Sequence, residues 1–159
     1  MIVVRPLTDA DHSWMVATLE EGWGGTSVAR LGELIDAARL PGFVATQGEA
    51  RVGLLTYAER DDGIEIVTIQ ALASGRGVGG ALMDAVHAMA IERATSRLWL
   101  ITTNDNGAAF RFYQRCGLDL CRLIRNGVEA SRRVKPSIPV AGADGIPIRH
   151  ELEFELIIR

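Results

Sequence analysis

The sequence predicts an α/β (α+β) chain built on a mixed, mostly antiparallel twisted sheet of about seven strands flanked by about four helices. Three observations lead there. The stretch "FVATQGEARVGLLTYAERDDGIEIVTIQALA" is strand-like throughout. It is broken only by tight turns at Gln47-Gly48-Glu49 and Asp61-Asp62-Gly63, the pattern of an antiparallel meander. Behind it, helical and strand periods alternate, which requires crossover connections. At 159 residues the chain is long enough for one domain with a sizeable core, and residues 1–159 read as a single domain.

The elements follow in order. Ile2 to Arg5 is a short β-branched strand stopped by Pro6. Thr8 or Asp9 caps a first helix that runs to about Glu20, and the glycines of "EGWGGTS" end it. From Val28 the apolar residues Val28, Leu31, Ile35 and Ala38 recur at helical spacing, so a second helix is expected, ended by Pro41-Gly42. The meander supplies three strands. The glycine-dense stretch "LASGRGVGGALMDAV" then opens a helix to about Thr95 with Val78, Leu82, Val86 and Met89 on its apolar face. "RLWLITT" is apolar at both alternating positions and is expected to be covered on both faces. "NDNGAAFRFYQRCG" predicts a short helix stopped by Gly117, and "LDLCRLI" a further strand. Residues 126–150, with three prolines and three glycines, read as an irregular loop. The last strand puts Glu151, Glu153 and Glu155 on one face and Leu152, Phe154 and Leu156 on the other, and reads as an exposed edge open to pairing.

Composition narrows the function. A net charge of −3 provides no basic field for nucleic acid or an anionic membrane surface. No apolar run approaches the ~20 residues of a membrane span. Arg5 and Pro6 interrupt the N-terminus too early for a secretory signal. Cys116 and Cys121, five apart around Gly117, show no metal spacing and are expected as reduced thiols in or near the core, so no metal is expected and the cytoplasm is the expected compartment.

Gly75, Gly77, Gly79 and Gly80 fall within six positions. Glycines this dense let the backbone approach a ligand and present bare N–H groups, and the helix behind them aims its positive end at the same place, which points to a phosphate. Gly75-Arg76-Gly77-Val78-Gly79-Gly80 satisfies G-x-G-x-x-G, but it lies behind a meander and not in a first βαβ unit. No Lys-Ser/Thr follows, which excludes a Walker loop. About 30 residues on, Asn106 and Tyr113 stand seven apart on one predicted helix, a spacing that returns nearly to the same face.

A glycine loop after the fourth strand, followed by Asn106 and Tyr113 after the fifth, resembles the GNAT superfamily of acetyl-CoA-dependent N-acetyltransferases. "GFVA", "VGLLTY", "TTNDN" and "DGIPIR" are similar to an uncharacterised bacterial branch of it. The resemblance implies a GNAT-like fold with acetyl-CoA as cofactor. The backbone N–H groups of Gly75 to Gly80 would cradle the pyrophosphate. Val67, Thr68 and Ile69 would pair with the pantetheine arm, Asn106 would hydrogen-bond it, and Tyr113 would protonate the departing thiolate. The superfamily loop usually opens with Arg or Gln where this chain has Ser74, so Arg76 is the candidate for a compensating charge. Glu65 is the candidate base, with a water chain as its rival, and a backbone N–H near Ile69 the candidate oxyanion donor. Trp23, on a glycine-hinged segment, is the candidate for the amine pocket. In "SRRVKP", Arg132, Arg133 and Lys135 form either a solvated basic run or a contact to an acidic group. The expected substrate is a primary amine on a small molecule or peptide. Two other readings stay open at this point, an NAD(P)-binding oxidoreductase and a CoA-binding regulatory module without turnover. Relatives often dimerise, which makes a homodimer an expectation too.

Overall fold

A computed structural model describes residues 1–142 and 144–159. The chain runs β1 (Ile2–Pro6), a 3-10 turn (Asp9–Asp11), α1 (His12–Trp23), β2 (Ser27–Arg30), β3 (Glu33–Asp36), a second 3-10 turn (Ala37–Arg39), β4 (Gly42–Gln47), β5 (Ala50–Arg60), β6 (Gly63–Ala71), α2 (Val78–Glu92), β7 (Arg97–Thr103), α3 (Gly107–Arg115), β8 (Asp119–Ile124), α4 (Gly127–Val134) and β9 (Glu151–Ile157). Seven strands belong to the main sheet, and β2 and β3 form a hairpin of their own. This is the mixed α/β architecture the sequence predicts, with seven sheet strands and four helices. Two compact units form along the chain, one of Met1–Ser27, Asp36–Leu98 and Ile157–Arg159, the other of Val28–Ile35 and Trp99–Leu156.

In the first unit the strand order is β1-β4-β5-β6, every pair antiparallel, as expected of the meander. Helix α2 buries Val78, Leu82, Met83, Val86 and Met89 against it. Gly53 on β5 permits the close approach, since a Cβ there would sit 2.4 Å from Val78 Cγ1. The entry to α1 is fixed by charge. The buried Asp11 carboxylate accepts from both terminal nitrogens of Arg5 (2.7 and 2.9 Å), from Arg51 Nε (2.9 Å) and from the Thr8 N–H (2.9 Å). The Arg5 guanidinium above all holds this carboxyl well below the usual carboxylate range.

The second unit departs from expectation in three places. Residues 28–38 are no helix. They run through the β2–β3 hairpin into the second 3-10 turn, because Leu31 (φ +54°) and Gly32 (φ +72°) make a two-residue left-handed turn that no α-helix accommodates. The turn's amides are satisfied from far along the chain. Leu31 N–H donates to both oxygens of Glu151 (3.1 and 3.3 Å) and Gly32 N–H to Ser131 Oγ (3.2 Å), while the Ser131 hydroxyl donates to Glu151 Oε2 (2.8 Å). A local periodicity count has no access to such partners.

The 126–150 segment is not irregular throughout, since α4 occupies Gly127–Val134 and Ala141 bridges Pro147. The last strand is not an edge. In this unit the order is β7-β9-β8, which puts β9 inside and β8 at the rim. Its glutamate face is covered at Glu151 and Glu153, and Phe154 is buried on the other. Strand β7 is buried at Leu98, Trp99 and Leu100, as its doubled apolar pattern predicts.

Candidate active site

In the first unit, β6 carries a row of polar groups that a core strand would not. The partners Leu54, Thr56 and Ala58 alternate along β5 and so share a face, and so do Gln70, Thr68 and Glu65 opposite them. Gln70 Nε2 donates to the Thr18 carbonyl at 3.3 Å, which identifies this as the α1 side. Glu65 is 1% exposed, and its Oε1 accepts from Arg60 Nε (3.0 Å) and Nη2 (2.8 Å). Thr68 and Thr56 share a buried hydroxyl bond of 2.6 Å. The buried Oε1 of Gln70 meets no donor among the described residues. Buried polar side chains cost stability, so a row of them on one face is the informative feature of this strand.

The pairing of β6 is broken where Thr56↔Thr68 gives way to Tyr57↔Ile66, leaving Val67 as an extra residue. Such a bulge frees backbone from the ladder. It falls two positions before the Ile69 at which a free N–H is expected, because the register slips at Val67 and is regular at Ile69↔Leu55.

The glycine loop follows. Gly75 (φ +74°) and Gly77 (φ +76°) adopt the left-handed backbone that glycine supplies without strain. Gly80 has no such need, yet a Cβ there, as at Gly75 and Gly77, would meet nothing within 4 Å. Helix α2 begins at Val78, and its first bond is Ala81 N–H to the Gly77 carbonyl at 3.0 Å. The N–H groups of Val78, Gly79 and Gly80 precede that bond and so have no acceptor within the helix. The loop's shape therefore fits an anionic group. Ser74 is exposed, and Arg76 donates to Gln47 Oε1 at 2.8 Å. Trp23 ends α1, is 37% exposed, and is followed by the left-handed Gly24 and by Gly25 (φ +152°).

In the second unit, Asn106 caps α3, its Oδ1 accepting the Ala109 N–H at 3.1 Å. That leaves its amide N–H groups for another acceptor. Tyr113 lies two turns on, its ring buried beside Phe112 and Phe154 (centroids 5.4 and 5.7 Å). Burial pushes its phenol up to about 12. The helix ends in left-handed Gly117, and the Leu118 N–H reaches back to the Tyr113 carbonyl at 3.0 Å.

The structure corrects two smaller expectations. Cys121 is exposed, at a bulge of the rim strand β8, where its thiol donates to Glu153 Oε2 at 3.3 Å; only Cys116 is half-buried. Arg132 is not part of a solvated run. Its guanidinium donates to the carbonyls of Ile138, Pro139 and Ile148 (3.3, 2.8 and 3.1 Å). Residues that sequence reasoning missed, Arg60, Gln70 and Asn104, act through partners set by the fold and carry no periodic or motif signal. Among the described residues no helix is long and apolar enough to cross a membrane.

Comparison with known proteins places these features in context. The model of the Acetyltransferase (GNAT) family matches residues 9–118, more than half of the chain. The chain is 35% identical over 150 residues to the uncharacterized protein YxbD of Bacillus subtilis, covering 94% of each. It is 31% identical over 159 residues to the uncharacterized protein YdhI of the same organism, covering 99% of each. Among solved structures it is similar to a B. subtilis acetyltransferase in complex with CoA, with a TM-score of 0.69 at 15% identity over 99% of this chain and 98% of that one. At that identity the likeness concerns the fold.

Proposed function

The chain belongs to the acetyltransferase (GNAT) family, and on that premise we propose that it transfers the acetyl group of acetyl-CoA to a primary amine by direct attack. The observation that carries this reading is the turn Gly75–Gly80, where a Cβ on Gly75, Gly77 or Gly80 would meet nothing within 4 Å and the N–H groups of Val78, Gly79 and Gly80 have no acceptor within α2. These groups would hold the coenzyme pyrophosphate, with Arg76 adding charge where Ser74 supplies only a hydroxyl. The backbone of Val67, Thr68 and Ile69 would hold the pantetheine arm, and the amide of Asn106 would hydrogen-bond it.

Bound acetyl-CoA supplies a thioester whose acetyl carbon is open to nucleophilic attack. The bulge at Val67 provides a backbone N–H for the developing oxyanion. Glu65, oriented by Arg60, takes the proton of the amine, directly or through a water chain. The Tyr113 hydroxyl remains protonated at neutral pH and gives its proton to the departing sulfur. Trp23, the last residue of α1 before its glycine hinge, lines the amine pocket. The acceptor class stays at small-molecule or peptide amines, and the setting we assign is the cytoplasm. Pairing of two copies through the rim strand β8, which exposes Leu120 and Leu123, belongs to the same proposal.

Calorimetric titration of the purified chain with acetyl-CoA, beside NADH as control, tests the reading. Saturable binding of acetyl-CoA alone is the expected result. Binding of NADH alone overturns it in favour of a dinucleotide enzyme. Binding of acetyl-CoA with no acetylation across an amine panel would make the chain a CoA-binding regulatory module.

A further inference from the structure

We infer that Asn104 is a positioning residue for cofactor binding: it clamps residues 147–150 to the end of β7 and so fixes the corner from which Asn106 enters α3. The inference rests on the reading of Asn106 as a contact to the coenzyme.

The carboxamide of Asn104 is engaged through both its nitrogen and its oxygen. Its Nδ2 donates to the Pro147 carbonyl at 2.9 Å, and its Oδ1 accepts the N–H groups of Arg149 and His150, both at 2.9 Å. Its own N–H donates to the His150 carbonyl at 3.1 Å. The orientation of the amide is determined by these neighbours, since the reverse would set an oxygen against a carbonyl and an NH2 against two N–H donors. The far side of the clamp is itself held. Arg132 ties down Ile138, Pro139 and Ile148, and His150 Nδ1 accepts the Asn126 N–H at 2.9 Å. A second contact braces the same corner. The chain passes so close to Asp105 that a Cβ on Gly142 would fall 2.1 Å from Asp105 Oδ2, and Asp105 Oδ1 accepts the Thr103 hydroxyl at 2.6 Å.

The corner needs this bracing. Beyond Asn104 the backbone bonds of the corner are short-range, Asn106 N–H to the Thr103 carbonyl (3.1 Å) and Gly107 N–H to the Asp105 carbonyl (3.0 Å). Helix α3 then opens on Gly107, a poor helix former, with the Asn106 side chain capping its first turn. Asn104, two residues upstream of Asn106, is the link between that turn and residues 147–150. An asparagine is required there. Aspartate would keep the two acceptor bonds and lose the donation to Pro147, and alanine would lose all three.

The test uses the full chain, calorimetry with acetyl-CoA and amide hydrogen exchange. Asn104→Ala is expected to weaken acetyl-CoA binding about tenfold while keeping a cooperative melt, and Asn104→Asp about threefold. Exchange should rise together at residues 104–107 and 147–150 and stay unchanged in β1 and β4. On an Asn106→Ala background, adding Asn104→Ala should weaken binding little further, because the two residues act through one contact. Unchanged affinity in Asn104→Ala, or full additivity with Asn106→Ala, overturns the inference. If Asn104→Ala fails to fold, Asn104→Asp decides on the same readouts. A wild-type chain that does not bind acetyl-CoA overturns the reading of Asn106 and this inference with it, whereas a binding wild type and an unaffected Asn104→Ala overturn the inference alone.

Discussion

The glycine turn of the first unit and the Leu31–Gly32 turn of the second use the same left-handed backbone and treat their amides in opposite ways. Gly75 and Gly77 stand at φ +74° and +76°, Leu31 and Gly32 at +54° and +72°. In the hairpin turn both N–H groups are answered, by Glu151 and Ser131. In the glycine turn, the N–H groups of Val78, Gly79 and Gly80 have no acceptor within the helix they open. The contrast separates two roles that look alike in a sequence. Left-handed backbone marks a turn, and a site is marked by donors the fold leaves without acceptors. A substitution in the first turn should therefore change binding, and one in the second should change stability.

The largest test of that division is Gly80→Asp. A carboxylate placed beside the unanswered amides repels a phosphate, so acetyl-CoA affinity should fall more than about a hundredfold, with the thermal midpoint little changed. Calorimetry and a melt on the same sample read both. Equal binding would remove the loop from the site. Tyr113→Phe comes next, with an expected loss of about a hundredfold in kcat and little change in the KM for acetyl-CoA. Its pH dependence has a sign. The phenol is raised from 10.0 to about 12 in the folded chain, so its burial favours folding fully below about pH 10 and loses that effect as pH rises from there through about 12. The phenylalanine variant should lack this alkaline loss in denaturant titrations run across that range.

Glu151→Gln works on the other side of the comparison. Loss of the charged acceptor under the hairpin turn should destabilise the chain by about 2 kcal/mol, and acetyl-CoA affinity should stay within about twofold. A large drop in affinity with no loss of stability would place Glu151 in the site after all. The smallest effect is expected at Ala94, which holds φ +53° where α2 ends and the Thr95 N–H returns to the Ala90 carbonyl at 2.9 Å. Glycine suits that position better, so Ala94→Gly should stabilise by about 0.5–1 kcal/mol, read as a higher melting midpoint.

Most of the first unit was legible in the sequence because its determinants are local. The meander is written in turns of a few residues, and α2 in its own apolar spacing behind a glycine cluster. The capping role of Asn106 and the stop at Gly117 follow from the same short-range chemistry. What was hidden depended on distant acceptors. The helical spacing of Val28, Leu31, Ile35 and Ala38 gave the wrong element, since Glu151 and Ser131 supply what a hairpin turn needs there. Residues 126–150 read as shapeless because Arg132 and Asn104 bond there to the carbonyls of Ile138, Pro139, Pro147 and Ile148 and to the N–H groups of Arg149 and His150, which leave no pattern. The position of the last strand inside its unit was equally out of reach, as alternation tells which face a residue takes and not which strands flank it.

The hairpin capped by Glu151 also has a history in time. Leu31 and its acceptor are separated by 120 residues, so during synthesis the turn emerges long before the carboxylate that answers it. At about 5–20 residues per second the wait is on the order of ten seconds. A two-stranded hairpin is marginal in water by itself, so residues 27–36 must stay uncommitted through that interval. The second unit therefore closes late, and only when its final strand arrives. A ribosome stalled short of residue 151 would hold a finished meander beside a hairpin that has not yet chosen its structure.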